Sequence, residues 1–244
     1  MKSFLFKLNA VAKNILILIQ PHVLLSFLIQ PFAFISNFIS LTKWIAQQPK
    51  EGVYKEAFSL LRNYNHRIDL YNYVINREQL QNSEIIYIEM GVCSGGSFQW
   101  WMENNQHAQS QFHGFDTFEG LPESWGYFFK NGDMHAEVPE LADARGHFYK
   151  GLFQDTLVPF LTKGTISLGK RKIIHLDADL FSSTLFSLSM LYPYLEKGDI
   201  IFFDEFNVPN HEYLAFKIFT ESFYVKLELI GSVNNYYQAA FIVK

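Results

Sequence analysis

The stretch IIYIEMGVCSGGS at residues 85–97 decides the fold. Six mostly apolar residues of strand length run into Gly91, then Gly95 and Gly96, and FQWWMENN follows with a helical look. Glycines at such a turn let the backbone reverse and come close to a ligand. Working outward, FHGFDTF (112–118), HFYKG (147–151), KIIHLDAD (172–179) and DIIFFDEF (199–206) repeat the theme of an apolar run ending in small or acidic residues. The runs are near-continuous rather than alternating, as in a sheet covered on both faces. Helical segments separate them: DTLVPFLTK, STLFSLSMLYPYL and EYLAFKIFTESF. VKLELIGSV and YYQAAFIVK close the chain as a pair of strands. Alternating β and α elements predict an α/β fold with a doubly wound, mostly parallel, seven-stranded sheet. In such sheets ligands bind beyond the carboxyl ends of the strands.

That edge carries the candidate chemistry. Ser97 can cap the helix after the glycine loop, whose N-terminus favours anionic groups. The spacing is G-x-x-x-G-G rather than the G-x-G-x-x-G of dinucleotide folds. Glu89, two residues before Gly91, suits an amine or a cationic ligand better than a pyrophosphate. Asp116 ends the second strand, where an acid can accept hydrogen bonds from both ribose hydroxyls of a nucleoside cofactor. Asp177, Asp179, Asp204 and Glu205 end two further strands, and neighbouring strand ends lie about 5 Å apart. Such crowding is costly unless a cation binds or pKa values shift. All-oxygen donors suit Mg²⁺ or Ca²⁺. A cation there would orient a substrate hydroxyl and a remaining carboxylate would take its proton. His175 lies within an apolar strand and reads as a core residue, whereas His211 follows Asp204-Glu205 in a loop that can face the site. Residues 122–146 form a long loop, a length usually tied to function. Within it, Trp125, Tyr127, Phe128 and Phe129 read as packing.

Composition narrows the function classes. The 244 residues suffice for one sizeable domain with an appendage, and a net charge of −4 gives no basic footprint for nucleic acid. Cys93 is the only cysteine, so an intrachain disulfide is excluded. Residues 14–42 contain no charged side chain, follow Lys2, Lys7 and Lys13, and precede Lys43. The run is long enough to span a bilayer, but Pro21 and Pro31 should cut it into shorter helices. Residues 1–48 are therefore expected to be a helical arm at a membrane interface or between copies in a homo-oligomer, with a true membrane span or a buried helical cap on the same domain as the alternatives, and residues 49–244 the catalytic domain. The lysines place the arm's start, and the enzyme, in the cytoplasm or on the cytoplasmic face of a membrane. Residues 44–50 read as a linker and residues 51–82 as helical, with Tyr54, Phe58, Leu61 and Tyr64 at helical spacing.

YIEMGVCSGGS, FDTFEGLPE, KGLFQDTL and the run from HLDAD through FFDEF occur in an order that resembles the macrocin and mycinamicin type of sugar O-methyltransferase. The resemblance covers about residues 84–206. It implies a class I, Rossmann-like methyltransferase that uses S-adenosylmethionine, with Mg²⁺ as a second cofactor. It also implies that Glu89, Gly91, Gly95, Gly96 and Ser97 surround the methionine part of the cofactor, and that Asp116, with Thr117 and Phe118 beside it, holds the ribose. Asp177 and Asp204, with Glu205, would ligate the metal, and Asp179 would be the base, with His211 a second catalytic candidate. The family usually has Asp-Asp where this chain has Asp204-Glu205. The acceptor would be a small molecule or a glycan. The DAD motif alone would also fit a metal-dependent glycosyltransferase on a membrane anchor. A non-catalytic membrane or assembly protein is a third reading.

Overall fold

A computed structural model describes residues 2–126 and 128–244. Helices α1 (Lys2–Ile19), α2 (His22–Leu25) and α3 (Ile29–Ala46) precede a two-residue strand β1 (Tyr54–Lys55) and helix α4 (His66–Arg77). The sheet and its helices then alternate: β2 (Ile85–Met90), α5 (Gly96–Asn104), β3 (Gln111–Asp116), β4 (Gly146–Lys150), α6 (Phe153–Thr162), β5 (Arg171–Leu176), α7 (Phe181–Leu191), β6 (Ile200–Phe203), α8 (Glu212–Phe223), β7 (Leu227–Val233) and β8 (Gln238–Val243).

The sheet has eight strands in the order β1-β7-β8-β6-β5-β2-β3-β4. Only β8 runs antiparallel to its neighbours. The seven expected strands are present, and β1 adds a short edge by pairing parallel to β7. One face is covered by α6, α7, α8 and the end of α3, through Phe160, Leu188, Phe216 and Leu41. The other is covered by α4 and α5, through Leu70, Tyr71, Phe98 and Trp101. Every residue of β2 and β6 is buried, which explains their unbroken apolar sequence.

Register places the site. Met90 pairs with Leu176, and Leu176 with Phe203. The next residues, Gly91, Asp177 and Asp204, therefore emerge side by side at the carboxyl edge. Backbone bonds extend the ladder one step further: the Asp177 N–H donates to the Met90 carbonyl (3.0 Å) and the Asp204 N–H to the Leu176 carbonyl (2.9 Å). The chain passes from β2 to β3 on one side and from β4 across to β5 on the other, so this edge is a topological switch point.

Three local expectations are corrected. Residues 51–82 are not one helix: only His66–Arg77 is, and Phe58 and Leu61 are 78% and 82% exposed. There, β1 pairing and side-chain bonds from Asn234 and Asn235 to residues 59 and 63 hold an irregular chain. Residues 44–46 are not linker but the last turn of α3, and Trp44 packs against Phe206 (5.0 Å), Phe216 (5.5 Å) and Phe241 (5.9 Å). Finally, the chain breaks at Pro21 but not at Pro31. Pro31 occupies the first turn of α3, where the missing N–H has no intrahelical partner to lose.

Candidate active site

Gly91 is the tightest point of the site. Its φ is +97°, and a Cβ there would lie 1.8 Å from the Asp177 carbonyl oxygen. Only glycine lets the loop after β2 pass this close to β5. Gly95 (φ +80°) precedes α5 in the left-handed region, with Pro139 of the long loop packed on it. Gly96 opens α5 with free space around its α-carbon. Contrary to the expectation from sequence, Ser97 does not cap that helix; its hydroxyl turns inward to donate to Glu89.

Asp116 organises the loop. Its Oδ2 accepts the Val92 and Cys93 N–H groups, both at 2.7 Å, and its Oδ1 accepts the Phe118 N–H at 2.7 Å. Each carboxylate oxygen has two lone pairs, so Oδ1 keeps capacity for a ligand hydroxyl. Thr117 closes the following turn by donating to the Gly120 carbonyl (2.9 Å). Phe118 is buried, with its ring edge-on to Phe148.

Glu89 lies fully buried beneath the glycine loop. It accepts hydrogen bonds from Ser97 and from the Tyr87 hydroxyl (2.7 Å). Burial pushes its pKa up to about 8, against the opposing pull of those hydrogen bonds and of Arg67. Tyr87 also meets His175 Nδ1 at 2.9 Å, and Tyr71 from α4 meets His175 Nε2 at 3.3 Å. With Tyr87 donating to Glu89, the imidazole donates through Nδ1 and accepts from Tyr71 through Nε2, an assignment made from the network. Burial lowers the His175 pKa to about 3, so the ring is neutral. A continuous chain of polar groups therefore links the glycine loop, through Glu89, Tyr87 and His175, to the edge of the carboxylate cluster.

That cluster contains Asp177, Asp179, Asp204 and Glu205, all raised in pKa first by desolvation; neighbouring carboxylates add to the rise at Asp177, Asp179 and Glu205, whereas at Asp204 the Arg67 charge and hydrogen bonds with Gln238 and Glu205 oppose it. Asp179 is pushed up to about 7. Its φ of +56° turns the chain sharply after β5. Asp177, Asp179 and Glu205 each offer an oxygen within 4.8 Å of the others, and His175, Asp177 and Asp204 form a second such group. Because His175 is already committed to two tyrosines, the first, all-oxygen set is the better cation site. The extra methylene of Glu205 does not remove it from reach. Among the described residues, Asp204 Oδ1, Glu205 Oε2 and Glu212 Oε1 are buried with no hydrogen-bond partner. Orphaned carboxylate oxygens at the rim of an all-oxygen set fit a hard divalent cation.

Sequence reading missed two charged members. Glu212, in the first turn of α8, is fully buried and accepts the Glu205 N–H at 2.9 Å. Arg67, in the first turn of α4, lies 3.8 Å from Asp204. An acid immediately after the DEF loop was a usable signal for Glu212; nothing local pointed to Arg67.

His211 flanks the site. Its Nδ1 accepts the Phe181 N–H (3.3 Å), so the neutral ring carries its proton on Nε2 and presents a donor there. Trp125 stands edge-on to it at 6.5 Å, stacked on Phe129, and Glu123 of the same loop accepts a hydrogen bond from Ser182. Phe128 is not packed as expected but 89% exposed, and Tyr127 lies outside the described residues.

Comparison with known structures gives the same fold. The chain is similar to CalS11, calicheamicin methyltransferase (20% identity, covering 85% of this chain and 91% of that one, TM-score 0.58). A second CalS11 structure, described as a TDP-rhamnose 3'-O-methyltransferase, matches at 22% identity, 85% and 93% coverage and a TM-score of 0.53. The O-methyltransferase NovP matches at 19% identity, 73% and 78% coverage and a TM-score of 0.51. No curated protein matches the chain at a significant level. The family model for macrocin O-methyltransferase (TylF) matches residues 64–237, which include the glycine loop, Asp116 and the whole carboxylate cluster. The chain belongs to that family and is an S-adenosylmethionine-dependent O-methyltransferase.

Proposed function

We propose that this enzyme methylates a hydroxyl of a sugar or glycan, with a divalent cation and a carboxylate base beside the cofactor. The observation that carries the reading is the all-oxygen set of Asp177, Asp179 and Glu205, with the orphaned oxygen of Asp204, at the edge where Gly91 meets Asp177. The sugar acceptor follows from family membership and from the sugar substrate named for CalS11.

In this reading Gly91, Gly95 and Gly96 bring backbone up to the cofactor, and Asp116 holds its ribose while fixing the loop. Glu89 and Ser97 support the loop from beneath. Thr117 and Phe118 shape the turn beside the ribose. Asp177 and Glu205 of the all-oxygen set, with the orphaned Asp204 oxygen beside them, would hold Mg²⁺, which leaves Asp179 free to act as the base. When bound, S-adenosylmethionine supplies an electrophilic methyl group, and Mg²⁺ supplies a Lewis acid that lowers the pKa of an acceptor hydroxyl. Asp179 takes the hydroxyl proton, and a pKa near neutrality suits that task. His211 Nε2–H donates to the acceptor and orients it. Most of the rate gain comes from holding the hydroxyl in line with the transferred methyl.

The test is methyl transfer to a panel of sugar nucleotides that includes TDP-rhamnose. Asp179→Asn should cut turnover by about 10²–10⁴-fold with S-adenosylhomocysteine binding intact. Asp177→Asn and Asp204→Asn should weaken the Mg²⁺ dependence, and EDTA should abolish wild-type activity. Full activity in EDTA would remove the metal and leave Asp179 acting alone as base.

A further inference from the structure

Three exposed apolar features converge on the loop at residues 204–211. The first is the arm. Among the described residues, His22–Ala46 is the one helical run long and apolar enough to cross a membrane, with mean hydropathy 1.7. The part ahead of Asn37, where α3 meets the domain, extends about 22 Å at 1.5 Å per residue, enough to enter a hydrocarbon core of about 30 Å without crossing it. Ser40, Leu41 and Trp44 dock α3 on the domain, and Asn37 donates to Asn210 (2.9 Å) within that loop. The remaining exposed side chains, Ile29, Phe32, Phe34, Ile35, Phe38 and Ile39, sweep roughly 200° of the helix circumference. That is wider than the seam of a coiled coil or a helix dimer.

The second feature lies on the rim beside Asp204. Phe58, Leu60 and Leu61 are 78%, 90% and 82% exposed. Their segment is fixed rather than loose. Asn235 bonds Ser59 and Asn234 bonds Asn63, while Arg62 lies 3.5 Å over the Tyr237 ring. Asn234 in turn bonds Gln238, which reaches Asp204. The third feature is Phe128, in the loop whose Trp125 meets His211. Large apolar side chains held in water on two segments that reach the carboxylate cluster and its flanking His211 mark an interaction surface.

Charge identifies the occupant. Residues 1–50 contain five lysines and no acid, so the rest of the chain carries −9 of the net −4. A basic, largely apolar arm on an acidic domain is complementary to anionic lipid headgroups over hydrocarbon. Pairing the arm with the same arm of a second copy would bring like charges together. We propose that the arm inserts into a lipid bilayer and holds the mouth of the active site against its surface. The acceptor is then a saccharide carried on a membrane lipid. This last step rests on the sugar-hydroxyl reading above; the membrane docking does not.

The test uses the full chain. Wild type should float with phosphatidylcholine vesicles containing phosphatidylglycerol. Replacing Lys2, Lys7 or Lys13 by Gln should weaken that binding by about fivefold each. Leu60→Trp and Phe128→Trp place reporters on the two segments. Each new emission should be quenched by vesicles with brominated acyl chains. Failure of the wild type to float, or its assembly into a stable dimer indifferent to vesicles, would overturn the docking. Flotation with both reporters unquenched would overturn the orientation of the mouth. With tritiated-methyl S-adenosylmethionine and an extract of the producing cells, label should enter the organic phase on chloroform–methanol partition. Label confined to the aqueous phase would overturn the lipid-linked acceptor. Loss of S-adenosylhomocysteine binding in calorimetry would instead sink the methyltransferase site and leave the docking result standing.

Discussion

Replacing Glu89 with glutamine should remove a large pH dependence from the stability of the ligand-free enzyme. Glu89 is fully buried, and its carboxyl rises from an ordinary 4.5 to about 8 because burial outweighs the bonds from Ser97 and Tyr87. The folded state then holds a proton that the unfolded state has released throughout that window. The contribution is fully present below the unfolded pKa and is lost as pH rises through the folded one. A displacement of that size corresponds to about 5 kcal/mol at 1.36 kcal/mol per unit. Glutamine keeps the shape and one acceptor; the hydroxyl left facing its amide costs about 1 kcal/mol, independent of pH. Asp177, Asp179, Glu205 and Glu212 are raised in the same direction, so both proteins should weaken toward alkaline pH. The difference between them isolates Glu89. Urea unfolding of the full chain without divalent cations, compared at about pH 5 and about pH 8, should move that difference by several kcal/mol in favour of the variant. Stability curves that run parallel for the two proteins would refute the reasoning, since Glu89 would then be ionised in its buried place.

The remaining predictions concern the loop, the ribose acid and the arm. Gly91→Ala must push β2 from β5 and adopt an unfavourable φ; a loss of about 2–5 kcal/mol and of S-adenosylhomocysteine binding is expected by thermal unfolding and calorimetry. Asp116→Ala frees three backbone N–H groups and should weaken S-adenosylhomocysteine at least tenfold, about 1.4 kcal/mol; unchanged affinity would remove Asp116 from the site. Trp44→Ala should cost about 3 kcal/mol of domain stability, because the ring fills a pocket among Phe206, Phe216 and Phe241. For the same reason a chain starting near Gln48 should be less stable than one starting near Ile29, measured by urea unfolding.

Much of this was readable from sequence, for reasons of period and position. IIYIEM, KIIHL and IIFF announce buried parallel strands because both faces are covered, and Gly91, Asp177 and Asp204 stand one step beyond their ends. What local pattern could not show was contact at a distance. The helical spacing of Tyr54, Phe58, Leu61 and Tyr64 misled because strand pairing and asparagine bonds from the β7–β8 turn override it. Trp44 looked like linker because its partners lie more than 160 residues further along the chain. Arg67 and Tyr71 reach the site from a helix that precedes every motif. The Glu89–Tyr87–His175 chain required the register of β2 with β5.

Because Trp44 and Leu41 are built into the domain's own core, the arm has no slack where it meets the catalytic body. A flexible leash would let the enzyme sample a hemisphere of orientations and reach acceptors at any height within its length. A rigid joint allows one height and one attitude. Whatever anchors the first forty residues therefore acts as a ruler for the active site: it selects acceptors by the distance of their hydroxyl from the anchoring plane, in addition to their chemical identity. Inserting a few glycines just before Asn37, ahead of the docked residues, would lengthen the leash without touching a catalytic group, and would relax that selection by distance alone.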